Sequence, residues 1–187
     1  MTNGHLELAN RRIPEASALP AKDLIVDFAE FDLNRAVATL DDIRRYNLQR
    51  FEMEQLTAIV FEDVPSGRCV GYKDVTDHEF WARGHMPGYP LMPGVVMCEA
   101  AAQLASYFAQ KYDMLGAKVI GFGGMEGVRF RDQVRPGQRL VLAVKLHKLR
   151  RGAMLACRFQ GLVDQTVVVD GQIKGVPLPI DGDPPVV

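Results

Sequence analysis

The stretch Gly84–Gln103 reads GHMPGYPLMPGVVMCEAAAQ. Pro87, Gly88 and Pro90 reverse the chain after His85, and Pro93 with Gly94 stands where a helix can start. From Val95 to Tyr112 the residues are mostly apolar. Glu99, Gln103, Ser106 and Gln110 recur among them at spacings of 4, 3 and 4, which places them in one narrow stripe of a helix. A helix apolar on almost every other side is a buried one. At 1.5 Å per residue it is about 25–30 Å long. Burying an ionisable group costs several kcal/mol unless it is paired or neutralised, so His85 in a turn and Glu99 in an apolar run ask for a use.

On either side the periodicity changes from helix to strand. LTAIVFEDV (Leu56–Val64) and RCVGYKDVT (Arg68–Thr76) are strand-like around a Pro65–Gly67 turn. Before them, Asp41 is a candidate cap for a short helix through Asp42, Ile43 and Tyr46. After the long helix, AKVIGFGGM and VRFRDQV lead to an RPGQ turn and to RLVLAVKLHKL (Arg139–Leu149). Leu140, Leu142, Val144 and Leu146 share one face of that strand, and Lys145 and His147 the other. Arg150–Gly152 turns the chain into AMLACRFQGLV, and Asp164–Gln165 closes a hairpin into TVVVDGQIKGV. Long antiparallel strands around one buried helix make an α+β protein with the helix against one face of the sheet. GFGGMEG (Gly121–Gly127) fails the phosphate-loop spacing, because Glu126 takes the last glycine position. Its glycines fit a strand that curves.

Length and composition narrow the function classes. A chain of 187 residues suits one domain with an extension. Residues 1 to about 22 are polar, carry Pro14 and Pro20, and read as a loosely ordered arm. A net charge of −1 gives no general affinity for nucleic acid. The charge is uneven, however: between Gly127 and Arg158 there are many bases and one acid, Asp132. That basic run is either a set of solvated strand faces or a surface that steers an acidic partner. Cys69, Cys98 and Cys157 form no CxxC pair, which suggests neither zinc nor a disulfide framework and fits a reducing cytoplasm. No secretory h-region and no membrane-spanning apolar stretch is visible, so no membrane partner is expected.

The chemistry concentrates around the opening stretch. The first N–H groups of a helix have no intrahelical acceptor and carry partial positive charge. The backbone at Gly94 and Val95 can therefore hold a polarised carbonyl oxygen. Neutral His85 is a competent base near neutral pH. Glu99, desolvated by the apolar helix, is expected to stay protonated and to act as an acid. Base, acid and oxyanion donors are what elimination of water from a 3-hydroxyacyl thioester requires. The plainer alternatives are a His85 that caps a backbone carbonyl, and a Glu99 paired with a base or hydrogen-bonded to Gln103.

The same stretch closely resembles the 3-hydroxyacyl-[acyl carrier protein] dehydratases of the FabZ/FabA type. Their signature runs His-Phe-x-Gly, Pro-x-Met-Pro-Gly, then Glu or Asp in a buried helix. The resemblance extends through VTDHEFWARGH and RFRDQVRPGQRLVLAVKLHKLRRG and covers about residues 41–176. It implies a hotdog fold, a long central helix wrapped by a curved antiparallel sheet, over residues 41–187. Residues 1–40 would be a partly ordered N-terminal extension. It implies His85 as base, Glu99 of the other subunit as acid, the Gly94 N–H as donor to the thioester carbonyl and the Val95 carbonyl as the group orienting the histidine. Gln103 would support Glu99. The implied substrate is a (3R)-hydroxyacyl chain on acyl carrier protein and the product a trans-2-enoyl thioester of fatty acid biosynthesis. No metal or organic cofactor is implied. The implied assembly is a homodimer, or three dimers in a hexamer, in the cytoplasm. Acyl carrier protein is acidic, so Arg129, Arg131, Arg150 and Arg151 become candidates for docking it. Two features depart from the signature: Met86 follows the histidine in place of phenylalanine, and NLQRFEMEQL (Asn47–Leu56) stands where a His-Arg-Tyr-Pro-Phe segment is usual. Rival readings are a hotdog acyl thioesterase and a non-catalytic acyl-binding subunit.

Overall fold

The structure, a computed structural model, describes residues 24–179, so the arm at residues 1 to about 22 lies outside the described residues. Six strands, β1 (Ala58–Asp63), β2 (Arg68–Asp74), β3 (Ile120–Phe130), β4 (Arg139–Arg150), β5 (Met154–Val163) and β6 (Thr166–Pro177), form one sheet in the order β1-β2-β4-β5-β6-β3. Every pairing in it is antiparallel. Two helices precede β3: α1 (Leu40–Arg44) and the long α2 (Gly94–Lys111). Thr39, not Asp41, caps α1: its hydroxyl accepts from the Asp42 N–H, and the Asp42 carboxylate accepts from the Thr39 N–H. That reciprocal pair satisfies two donors at once, which Asp41 two residues later could not do.

The sheet curls around α2. Ala100, Ala101, Leu104 and Tyr107 on the helix are wholly buried, as are Leu140, Leu142 and Val144 on β4. With Phe159 and Val169 they belong to the main core. Alanines at positions 100, 101, 105 and 109 of α2 keep that helix face thin, so the sheet can come close. The glycines of β3 sit where its register against β6 shifts, between Phe122 and Gly124 and between Glu126 and Arg129. Gly124 and Gly127 take φ of 141° and 60° there, in the region that favours glycine. They bend the strand, as expected.

The opposite face of the sheet is covered as well. Val60, Val70, Val141, Ala143, Leu162 and Val167 form a second core with Ile25 and Val26, against which Leu24, Phe28, Phe31 and Leu33 pack. The Ile25 N–H donates to Gln160 Oε1 at 2.8 Å, and Arg68 reaches Glu30 at 2.9 Å. The first half of β4 is therefore buried on both sides, whereas Lys145 and His147 face solvent.

The β5–β6 turn places Asp164 and Gln165 at φ of 47° and 65°, the primed turn whose twist suits a two-residue hairpin. Gln165 has a Cβ in a conformation that costs a residue roughly 1 kcal/mol or more. Gln165→Gly relieves this, less the extra chain entropy that glycine loses on folding. The expected gain is about 0.5 kcal/mol in urea unfolding, with an unchanged m-value.

Candidate active site

His85 is held by its own backbone and its ring. Its N–H donates to the Trp81 carbonyl at 2.8 Å, and its carbonyl accepts from the Leu91 N–H at 2.7 Å. Nδ1 lies 2.8 Å from the Leu91 carbonyl oxygen. A carbonyl can only accept, so Nδ1 carries the proton and Nε2 is left as the basic nitrogen. The orienting carbonyl is thus that of Leu91 and not of Val95, a correction to the expectation above. The reason is helical geometry: a carbonyl in the first turn of α2 points along the axis toward the N–H four residues on, whereas Leu91 lies on the loop that doubles back to His85. The plainer alternative, a histidine capping a backbone carbonyl, is compatible with the same bond.

The helix start supplies donors. The N–H groups of Val96 and Met97 turn back to the Pro93 carbonyl, at 2.9 and 3.3 Å. Those of Gly94 and Val95 have no partner among the described residues. Gly94 lets the Phe130 ring lie close against the helix start: a Cβ there would come within 2.6 Å of that half-exposed ring and push it aside. His85, Leu91, Gly94, Val95, Phe130 and Arg131 line one open cleft of about 590 Å³.

Glu99 opens elsewhere. It lines a separate, mainly apolar pocket of about 220 Å³ with Met53, Gln55, Phe80, Val95 and Val96. Val95, 68% exposed, borders both cavities. Glu99 is half-buried rather than surrounded by hydrocarbon: Gln103 Nε2 donates to its Oε1 at 2.8 Å. Gln103 is itself buried and fully engaged. Its Nε2 also donates to the Met53 carbonyl at 2.7 Å, and its Oε1 accepts from the Gln55 N–H at 2.9 Å. Asn47 Nδ2 donates to its backbone carbonyl at 2.9 Å. The Asn47–Gln55 segment therefore sets which way the Gln103 amide faces: with Oε1 taken by Gln55, the NH₂ must point to Met53 and Glu99. Leu91, Met53 and Gln55 act here through backbone atoms, so no side-chain motif could have announced them.

The four candidate arginines do not form one patch in a protomer. Arg131 lines the His85 cleft and is bound to Asp170 at 2.5 Å. Arg129 borders a small polar cavity on the sheet beside Arg158 and Gln172. Arg150 and Arg151 lie at the β4–β5 turn, where Arg151 meets Asp113 at 2.5 Å. In register, Arg129 faces Asp170 whereas the hairpin end faces Gly175, about 16 Å along β6 at the rise of a strand. Arg139 is also paired, to Asp74 at 2.6 Å. The basic run is thus partly neutralised by acids that lie far off in sequence.

Cys98, next to Glu99, is buried, and burial pushes its thiol up to about 11, which makes it a packing residue and not a nucleophile. No group of His, Cys, Asp and Glu suited to a metal ion is present among the described residues. No helix among them is long and apolar enough to cross a membrane.

Known proteins match both the sequence and the fold. The FabA-like domain model matches residues 47–172. The 3-hydroxyacyl-[acyl-carrier-protein] dehydratase FabZ of Desulfotalea psychrophila is 40% identical over 111 residues, 58% of this chain and 73% of that protein. The FabZ of Roseiflexus castenholzii is 40% identical over 114 residues, 61% of this chain and 75% of that protein. Among solved structures, the dehydratase heterocomplex ApeI:P of Xenorhabdus doucetiae superposes with a TM-score of 0.63 at 15% identity. It covers 78% of this chain and 93% of its own, a likeness of fold. With a matched model spanning most of the chain and one long helix inside a curved antiparallel sheet, the chain belongs to the FabA-like family and has its hotdog fold.

Proposed function

We propose that the protein is a 3-hydroxyacyl-[acyl carrier protein] dehydratase, a hydro-lyase of fatty acid biosynthesis. The observation that carries this reading is an imidazole whose Nδ1 is tied to Leu91 and which shares a cleft with the N–H groups of Gly94 and Val95, unpartnered among the described residues. His85 Nε2 takes the proton from C2 of the acyl thioester. The charge that develops on the thioester oxygen is met by the Gly94 and Val95 N–H groups. The C3–O bond breaks as Glu99 delivers a proton to the hydroxyl, and water leaves with a trans double bond behind it. The imidazolium then returns its proton to the Glu99 carboxylate through solvent, and the cycle closes with no net change in the enzyme. Gln103 donates to Glu99 Oε1, which leaves Oε2 as the oxygen that carries the transferable proton.

The acid comes from the second subunit of a homodimer. Two observations support this. In one chain, His85 and Glu99 open on different cavities. The outer edge of β3 is unpaired among the described residues, and Phe122, Met125 and Phe130 along it are 50%, 41% and 53% exposed, an edge that invites pairing with a second copy. A trimer of such dimers extends the same reading. Acyl carrier protein, being acidic, is expected to approach the cleft mouth by Arg131. The three free thiols fit a reducing cytoplasm.

The test is turnover of 3-hydroxybutyryl and crotonyl thioesters. For a dehydratase, enoyl absorbance reaches the same equilibrium from both sides. Accumulation of free thiol instead would identify a thioesterase, and no turnover at any acyl length an acyl-binding subunit.

A further inference from the structure

His85 is anchored from behind, by Trp81 and Leu91. Ahead of it the chain runs at once into a tip that has little to hold it. Met86 and Tyr89 close a tight turn with two reciprocal bonds, Met86 N–H to the Tyr89 carbonyl at 3.1 Å and Tyr89 N–H to the Met86 carbonyl at 2.9 Å. Every residue from Arg83 to Tyr89 is exposed, so burial contributes little to fixing the tip. Its side-chain anchor is Tyr89. The Arg135 guanidinium lies 3.9 Å from the centre of the Tyr89 ring. Gln133 Oε1 accepts from the Tyr89 hydroxyl at 3.3 Å and from Arg135 Nη2 at 3.2 Å. The three side chains form a closed set across two loops.

The second loop is well placed to act as a fixed post. Gln138 Oε1 accepts from the Arg135 N–H at 2.8 Å, and the Gln138 N–H returns to the Arg135 carbonyl at 3.2 Å. The Val134 carbonyl accepts from the Met92 N–H at 2.8 Å, and Val134 is buried. This loop also contributes Arg131 and Gln133 to the lining of the His85 cleft. The set therefore ties the tip next to the base onto the opposite wall of the same cleft.

We propose that Tyr89, Gln133 and Arg135 form a latch that positions His85, with Tyr89 and Arg135 as its principal members. The latch rests on the reading of His85 as base, since what it sets is the place of the imidazole against the acyl C2. It acts through the turn: release of Tyr89 frees Met86, the residue bonded directly to His85. A cation stacked on an exposed ring is a modest interaction, so the latch biases a population of loop positions and does not hold the fold together. Its loss lowers kcat and leaves KM and the unfolding midpoint nearly unchanged.

The experiment uses the full-length protein and a short 3-hydroxyacyl thioester, with Arg135→Ala, Tyr89→Leu, Tyr89→Phe, Arg135→Lys and the double variant. Arg135→Ala and Tyr89→Leu are each expected to lower kcat by about fivefold, the factor that an exposed cation–π contact plus one hydrogen bond supports. Tyr89→Phe keeps the stack and most of the rate, and Arg135→Lys recovers part of it. The double variant is no slower than the slower single one, because both remove the same contact. Wild-type kcat in Arg135→Ala, or additive losses in the double variant, would overturn the latch. Turnover that survives His85→Ala would overturn the reading of the base instead, so the two failures are told apart.

Discussion

Preparations carrying His85→Ala in every chain, or Glu99→Gln in every chain, are expected to lose dehydration by about 10²–10⁴-fold, the usual contribution of a positioned acid or base. Mixing the two inactive preparations, after denaturation and refolding together, is expected to restore about a quarter of wild-type turnover. Random pairing makes half of the dimers mixed. A mixed dimer has one site with both groups intact and one with neither, provided the acid comes from across the dimer axis. The measurement is the rate of enoyl formation against mixing ratio, which peaks at equal amounts. If base and acid belonged to the same chain, no mixed dimer would contain an intact site and the rate would stay at the level of the parents. The prediction follows from the separate cavities of His85 and Glu99 around Val95.

Gln103→Leu is expected to damage stability and rate together. Gln103 satisfies the Gln55 N–H and the Met53 carbonyl as well as Glu99. Leucine fits the volume but leaves the buried Gln55 N–H without a partner and the exposed Met53 carbonyl to solvent. The cost is about 1–3 kcal/mol, that of one buried donor left unsatisfied. That corresponds to a fall of about 2–12 °C in the unfolding midpoint for a domain of this size. The rate falls further than stability explains, because Glu99 loses the donor that fixes which of its oxygens carries the proton. Gln103→Glu separates the two effects: it retains an acceptor for the Gln55 N–H but sets a second carboxyl against Glu99. Unchanged unfolding in Gln103→Leu would show that the Asn47–Gln55 segment is held by other contacts.

Much of this molecule can be read along the chain, because the relevant physics is local. The polar stripe from Glu99 to Gln110 identifies a buried helix, and the structure begins that helix at Gly94, one residue before the apolar run. Alternation in Leu140–Val144 and the two-residue Asp164–Gln165 turn identify strands and a hairpin. His85, Gly94 and Glu99 stand out for the same reason, since all three fall within one short segment.

What escaped that reading is what depends on distant chain meeting. Ile25 and Val26 close the outer face of the sheet, yet nothing in their own neighbourhood says which surface they cover. Asp74, Asp113 and Asp170 reach the basic strands from elsewhere, so a linear count of charge overstated the free positive patch. The carbonyl on His85 Nδ1 belongs to Leu91 because a loop returns on itself, and backbone atoms leave no mark in composition. Periodicity and turn chemistry are properties of neighbouring residues and survive in a string of letters. The direction of a carbonyl, the partner of a charge and the cavity onto which a side chain opens arise from three-dimensional closure, which brings together groups that the string holds far apart.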